Sequence, residues 1–267
     1  MSDIELQLSP GMIDSHLHLS ELERKGVDPV AVMSACFAAG LEHALDVGIS
    51  TDEFERRRER TRLMPSIGLA AGLHPVISAE PELDPRLEAL RTQLDEPTVV
   101  ALGEIGLDRY RMYAPIERQR YLFERQLRWA AERGLPVIIH NRDADSDILA
   151  AVDSVSPSPS LGVMHCFSGE PWFAREALAR GFHVSFAGNL TYRKAESVRD
   201  AARIVPWDRL LVETDAPYLS PQARRGRTNH PGLIGYTYAA LTELRGVSPQ
   251  YLIERVRENY RALFDSP

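Results

Sequence analysis

The sequence predicts an α/β fold, a (β/α)8 TIM barrel that forms a single domain over residues 1–267. Eight short apolar runs alternate with helical patterns, which is typical of a parallel sheet with helices packed outside it. The length of 267 residues is close to the roughly 250 that one such barrel needs. An open doubly wound sheet is the competing fold, but no glycine fingerprint opens a first helix.

The eight predicted strands are apolar runs bounded by polar or turn-forming residues. Runs of this kind are typical of strands buried on both faces of a parallel sheet. They lie at 11–19, 43–49, 67–73, 98–104, 136–140, 162–167, 182–187 and 210–215.

The helical segments have recognisable starts and stops. Asp28-Pro29 and Asp84-Pro85 are capping residues followed by a proline in the first turn, and Gly134 ends a helix. The run ERRRERTR alternates charges at helical spacing and predicts a solvated helix face. The predicted helices lie at 28–39, 51–63, 84–94, 117–133, 143–153, 171–180, 195–205, 234–245 and 249–263.

The bulk composition is that of an ordinary globular protein, with 44% hydrophobic and 26% charged residues. The apolar runs are shorter than a membrane span, and the N-terminus lacks the features of a signal peptide. Only two cysteines are present, Cys36 and Cys166, so we expect no disulfide framework and a cytoplasmic location. The sequence indicates no obligate protein partner. The net charge of -7 argues against a basic face that coats duplex DNA.

Six potential metal ligands lie at the carboxyl ends of five predicted strands. Barrel enzymes place their chemistry at this end, so these side chains should meet in space. Four imidazoles and two carboxylates are suitable ligands for two divalent cations, which predicts metal-assisted hydrolysis. The six residues are His16, His18, Glu104, His140, His165 and Asp215.

The strand order predicts how the ligands divide between the two ions. His16 and His18 are two residues apart in a strand, so they share a face and would hold one ion. His140 and His165, on neighbouring strands, would hold the other, with Glu104 bridging the two ions. Asp215 would contact the first ion and accept a proton from water. Two divalent ions against two carboxylates predict a locally positive pocket.

Three further residues near these ligands have two interpretations each. Glu213 shares a face with Asp215 and is either catalytic or a buried carboxylate paired with a rim arginine. His74 either contacts substrate and orients the leaving group or caps the loop before Pro75. Asp108 either orients a ligand or is a turn residue.

Other histidines and the second cysteine are interpreted as structural. His43 and His183 begin predicted strands, at the end of the barrel opposite the ligands. Cys166 follows His165, so strand alternation points its thiol away from His165, into the helix layer.

Substrate contacts are predicted from arginines that follow the ligand-bearing strands. Guanidinium groups match phosphate oxygens, so Arg142, Arg225 and Arg227 are candidate substrate-binding residues. Arg224 and His230 lie in the same loop after Asp215. Tyrosines that follow strands are available to stack bases: Tyr110, Tyr113, Tyr192 and Tyr218.

Six segments in this order resemble the TatD-type metal-dependent deoxyribonucleases: MIDSHLHL, GLHP, GEIGLD, LPVIIHNRDA, HCFSG and LLVETDAPYL. The resemblance runs from about residue 11 to the closing ENYRALF. It implies an amidohydrolase-type TIM barrel with a two-metal site on the six ligands and magnesium, manganese or zinc as the cation. It also implies hydrolysis of DNA phosphodiesters, often as a 3′-to-5′ exonuclease on single strands, and Glu213 matches the family's ETD motif.

Two departures from the family pattern bear on substrate choice. The family often has Arg-Asn-Glu-Pro in the eighth loop, where this chain has Thr228-Asn229-His230-Pro231. Ser20 replaces the usual aspartate after the first His-x-His-Leu. His230 is therefore predicted to lie where substrate would be held.

Three functions follow, of which the first is a phosphodiesterase that acts on DNA ends or nucleotides. The second keeps the site but hydrolyses an ester or amide, such as an aminoacyl-tRNA or a cyclic amide. The third is a non-catalytic binding module, which the intact ligand set disfavours.

Overall fold

The computed structural model describes residues 4–155 and 162–264, and eight parallel strands form one sheet in chain order. The sheet closes through a parallel bridge between Leu17 and Ala216 and a hydrogen bond from the His18 amide to the Ala216 carbonyl (2.8 Å). The predicted (β/α)8 barrel is therefore confirmed. The strands are β1 Met12–Leu17, β2 Leu41–Val47, β3 Ile67–Ala71, β4 Val99–Asp108, β5 Val137–Arg142, β6 Gly162–Met164, β7 His183–Phe186 and β8 Leu210–Val212.

Helices connect successive strands and pack around the barrel. The Asp28 carboxylate caps the helix Pro29–Ala38 by accepting from the amides of Val30 and Ala31. Gly134 ends the helix Ile116–Arg133 with a left-handed φ of 65°. The short first helix was missed, because six residues carry little periodic signal. The helices are α1 Leu19–Arg24, α2 Pro29–Ala38, α3 Phe54–Leu63, α4 Asp84–Gln93, α5 Ile116–Arg133, α6 Asp145–Ser154, α7 Pro171–Ala179, α8 Glu196–Ile204, α9 Gly235–Arg245 and α10 Pro249–Phe264.

Several strand ends differ from the predictions. β6 and β8 stop at Met164 and Val212, before the ligands that follow them. Cys166 and Asp215 have φ values of 48° and 55°, so the chain turns sharply near these ligands instead of continuing as a strand. β4 instead extends to Asp108, because it pairs with β5 as far as Arg142.

The apolar core lies inside the barrel and between its strands and the surrounding helices, and its members are almost fully buried. Both cysteines are free thiols. Across the described ranges, every helix is too short or too polar to span a bilayer.

Candidate metal centre

The carboxylate of Glu104 lies at the centre of the predicted ligand cluster. Its Oε2 lies 3.4 Å from the Nε2 of His18 and 3.7 Å from the Nε2 of His16. Its Oε1 lies 2.8 Å from both the Nδ1 of His140 and the Nε2 of His165. One oxygen therefore faces each pair of histidines that the sequence assigns to a separate ion.

The backbone around Glu104 explains how a mid-strand residue reaches the cluster. The register between β4 and β5 shifts between Gly103 and Ile105, and such irregularities re-aim side chains. The Glu104 amide donates to the Gly48 carbonyl at the end of β2 (2.9 Å). Gly106 has a φ of 147°, and a Cβ there would lie 1.9 Å from the His140 carbonyl oxygen. The GEIG segment thus needs its second glycine to bring His140 beside Glu104.

His16 and His18 converge as predicted, with their Nε2 atoms 3.1 Å apart. The Nδ1–H of His18 donates to the Val47 carbonyl (2.8 Å), so the neutral ring presents a lone pair at Nε2. Two nitrogens bound to one ion at about 2.1 Å each would lie roughly 3 Å apart. The spacing therefore fits a shared cation.

Asp215 joins this half of the cluster from the loop after β8. Its Oδ1 lies 3.4 Å from the Nε2 of His18 and 3.9 Å from the Nε2 of His16. Its amide donates to the His16 carbonyl (2.9 Å). Behind it, the Asp14 carboxylate accepts from the Thr214 amide and hydroxyl and so anchors the loop.

In the other half, a second carboxylate lies behind each histidine. Asp108 Oδ2 is 3.4 Å from the Nε2 of His140, and Glu213 Oε1 is 3.3 Å from the Nδ1 of His165. Glu213 also accepts from the Cys166 amide. Over the described residues, the ion-pair partner of Glu213 is His165 and not a rim arginine. Carboxylates in such positions fix the ring orientation of metal-bound histidines.

His74 caps the loop before Pro75, which is one of its two predicted roles, and also lies beside the cluster. Its Nδ1 accepts from the Val76 amide (3.1 Å) at the start of a short 3-10 turn, Pro75–Ala79. Burial lowers the pKa of His74 to about 3, so the ring is neutral and its proton lies on Nε2. That Nε2 lies 3.8 Å from Glu104 Oε1, beyond hydrogen-bond distance, and His74 also lies with Glu104 and His140 in a group that could hold a cation.

The electrostatics of the cluster favour cations. Burial, with the neighbouring histidines, holds the pKa of His16 well below its usual value. Burial also disfavours charge on His18, but Asp215 and Glu104 outweigh it and raise its pKa to about 9. The histidines around Glu104 keep its pKa well below the usual range despite burial. Among the residues that the structure describes, the Nδ1 of His16 has no hydrogen-bond partner. This buried set of nitrogen and carboxylate donors fits divalent cations.

The predicted substrate arginines lie exposed around the carboxyl-terminal rim, the end of the barrel where the strands stop. The Arg142 guanidinium lies 4.2 Å from the centre of the Tyr110 ring, and that of Arg225 lies 4.5 Å from Tyr192. Arg227 is also exposed. Arg224 instead forms an ion pair with Glu5.

The position of Cys166, near the rim, differs from expectation. Cys166 is partly exposed. Burial of the thiol raises its pKa most, and the charges of Asp215 and Glu213 raise it further. Its thiol is thus close to the cluster and not in the helix layer, because its left-handed φ breaks the strand alternation. His230 is partly buried, and burial lowers its pKa although the charge of Glu5 opposes this. Its neighbour Asn229 holds the loop through the carbonyls of Thr214 and Tyr218.

Comparisons with known proteins agree with this geometry. The sequence model of the family described as TatD related DNase matches residues 13–265. The uncharacterized metal-dependent hydrolase YcfH of Escherichia coli K12 is 36% identical over 257 residues, 95% of each chain. The 3′-5′ ssDNA/RNA exonuclease TatD of Citrobacter rodentium is 33% identical over 238 residues, 87% of this chain and 90% of that one. The crystal structure of the Escherichia coli TatD homolog YJJV superposes with a TM-score of 0.89 at 30% identity, covering 96% of this chain and 99% of that one.

Proposed function

Because this chain belongs to the family of TatD-related DNases, we propose that it is a metal-dependent phosphodiesterase that removes nucleotides from 3′ ends of single-stranded DNA. The observation that carries the proposal is the position of Glu104, which presents one oxygen to His16 and His18 and the other to His140 and His165. A carboxylate placed in this way could supply one ligand oxygen to each of two cations. The exonuclease name of the Citrobacter relative supports a nucleic-acid substrate.

Two divalent ions, magnesium, manganese or zinc, would be held by His16, His18 and Asp215 on one side and by His140 and His165 on the other, with Glu104 shared. Bound there, they would supply Lewis acidity to the phosphoryl group and activate water.

The protein's own side chains then account for proton transfer and orientation. Asp215, which is less deeply buried than Glu104, accepts the proton of the attacking water. The Nε2–H of His74 donates to the leaving oxygen or to a phosphoryl oxygen. Glu213 and Asp108 hold the rings of His165 and His140 in place. Arg142, Arg225 and Arg227 contact phosphates of the substrate.

The test is release of nucleotides from single-stranded DNA in magnesium, manganese or zinc, with metal content measured by mass spectrometry. We expect Asp215→Asn to lower kcat by about 100-fold or more. Glu104→Gln should lose both activity and bound metal. His43→Gln is the control, since His43 lies in β2 and stacks on Tyr260, away from the cluster. Wild-type rates in Asp215→Asn and Glu104→Gln would contradict the mechanism.

The same preparations distinguish the alternative substrates. An enzyme that leaves DNA intact but hydrolyses an aminoacyl-tRNA ester or a cyclic amide would retain the site and overturn the substrate assignment. A protein that binds metal but hydrolyses none of these would be a binding module.

A further inference from the structure

Four exposed cations lie together on one side of the rim, in the loops after β7 and β8. They are Arg193, Lys194, Arg225 and Arg227, which we call the basic rim patch. Over residues 4–155 and 162–264, no carboxylate lies within ion-pair distance of any of them. Elsewhere on the surface, arginines are commonly paired, for example Arg62 with Glu59 on α3. Free cations concentrated in one place on a protein of net charge -7 indicate an anionic ligand.

The basic rim patch is built from two loops that hold each other in place. The Tyr192 hydroxyl donates to the Ser220 carbonyl (3.1 Å), and the Gln222 amide donates to the Thr191 hydroxyl (2.7 Å). The Ser220 hydroxyl donates to the Arg227 carbonyl. These bonds keep the cations of both loops on one surface.

The patch is continuous with the metal centre. The Tyr218 amide donates to the Asp215 carbonyl (2.8 Å), so the loop that carries Arg225 and Arg227 starts at a predicted ligand. The Tyr218 ring lies 6.0 Å from that of His18. The charge of Asp215 also contributes to the raised pKa of Tyr192. A chain that extends from the metal centre along this loop would therefore reach the patch.

We propose that the basic rim patch and Tyr192 bind the body of a single-stranded nucleic acid whose terminal phosphodiester lies at the metal centre. The proposal rests on the proposed function. The patch offers cations to successive phosphates, and the stacked pair of Tyr192 and Arg225 offers a flat surface to a base. The opposite side of the rim has a similar pair, Tyr110 with Arg142, but fewer free cations. The polymer is therefore assigned to the Tyr192 side.

Binding is measured by fluorescence anisotropy with the metal-loaded protein and a labelled, phosphorothioate-capped single-stranded 20-mer at several salt concentrations. Log affinity falls as log salt rises, with a slope of about −0.7 for each single-strand phosphate that is contacted. Arg225→Gln/Arg227→Gln neutralises two contacts, so this negative slope should become shallower by about 1.4. Affinity near physiological salt should fall roughly fivefold or more. Tyr192→Leu should weaken binding more than Tyr192→Phe, which loses the same hydrogen bond to Ser220 but keeps the ring.

The control is Arg62→Gln/Arg91→Gln, which removes the same charge from the ends of α3 and α4 at the opposite end of the barrel. Its slope should equal that of the wild type. The proposal is overturned if both double variants change the slope equally, or if the wild type does not bind the 20-mer.

A second measurement compares hydrolysis of an unmodified 20-mer with that of a dinucleotide. The rim variant should raise KM for the 20-mer several-fold more than KM for the dinucleotide, because only the 20-mer spans the patch. An equal loss on both substrates would overturn the proposal. A wild type that binds the 20-mer with the expected slope but does not cleave it would sustain the patch and refute the proposed nuclease function.

Discussion

A buried ion pair between Arg57 of α3 and Asp46 of β2 supports the metal centre from behind. The Nε of Arg57 donates to Asp46 Oδ2 (3.0 Å), and its Nη2 donates to the carbonyls of Asp46 (2.6 Å) and Ala70 (2.8 Å). The Asp46 carboxylate also accepts from the Leu19 amide (3.0 Å). The two side chains are 3% and 0% exposed, so neither charge has access to water.

Replacing Arg57 with methionine keeps much of its volume but leaves the Asp46 carboxylate buried without a counter-charge. Removing one partner of such a pair costs about 3–5 kcal/mol. For a protein of this size that corresponds to a fall in Tm of roughly 10 °C. Replacing both partners, in Asp46→Leu/Arg57→Met, should be less destabilising than Arg57→Met alone, because no uncompensated charge remains.

Arg57→Met should also weaken metal binding, because Arg57 holds the end of β2 that orients two predicted ligands. The Val47 carbonyl accepts from His18, and the Gly48 carbonyl accepts from the Glu104 amide. Loss of comparable outer contacts lowers metal affinity about 10–100-fold. We expect a loss in this range for Arg57→Met.

The assays are urea unfolding for stability and isothermal titration calorimetry for metal affinity. Arg245→Met is the matched control, since Arg245 donates to the carbonyls of Ala202 and Val205 and stacks on Trp207, far from the ligands. It should lose stability but bind metal like the wild type. Equal metal affinity in Arg57→Met and the wild type, or an equal loss in Arg245→Met, would refute the supporting role of Arg57.

Three further predictions concern His74, Gly106 and His183. His74→Asn retains an acceptor for the Val76 amide but removes the Nε2–H, so kcat should fall about 100-fold or more at unchanged metal content and stability. Gly106→Ala places a methyl group against the His140 carbonyl, so this variant should bind less metal and unfold at a lower urea concentration. Its control is Gly134→Ala, which has open space around it and should lower the free energy of unfolding by only about 1 kcal/mol. Burial, with Arg209, lowers the pKa of His183 to about 4, below its unfolded value, so its stabilisation is complete above about pH 6.5 and is lost as the pH falls toward 4. Between about pH 7.5 and pH 5 the free energy of unfolding should therefore fall about 2 kcal/mol more in the wild type than in His183→Gln, as measured by urea titration.

The barrel and its ligands were predictable because both produce local patterns. Alternating apolar runs and helical periodicities identify the eight strands, and a polar residue at the end of an apolar run is visible without any structure. The position of Cys166 was not predictable, because strand alternation fails where the backbone becomes left-handed. The prediction that the ERRRERTR run forms a solvated helix face was wrong in part, because Arg57 and Arg60 are buried. A charged side chain can be predicted to be buried only when its counter-charge is known. The counter-charge of Arg57 is Asp46, which lies on β2 and not on the same helix.

The charges around Glu104 match the two divalent cations of the proposed mechanism. Glu104 and Asp215 face the histidines directly, while Asp108 and Glu213 lie behind His140 and His165, which gives four carboxylates. Asp14 adds little, because burial raises its pKa to about 7 and its partners in Thr214 are neutral. Two divalent cations would balance the four carboxylates, so the pocket is nearly neutral and not positive as the six ligands alone suggest. Attraction of a polyanion to the protein must therefore come from the rim, where the free arginines lie.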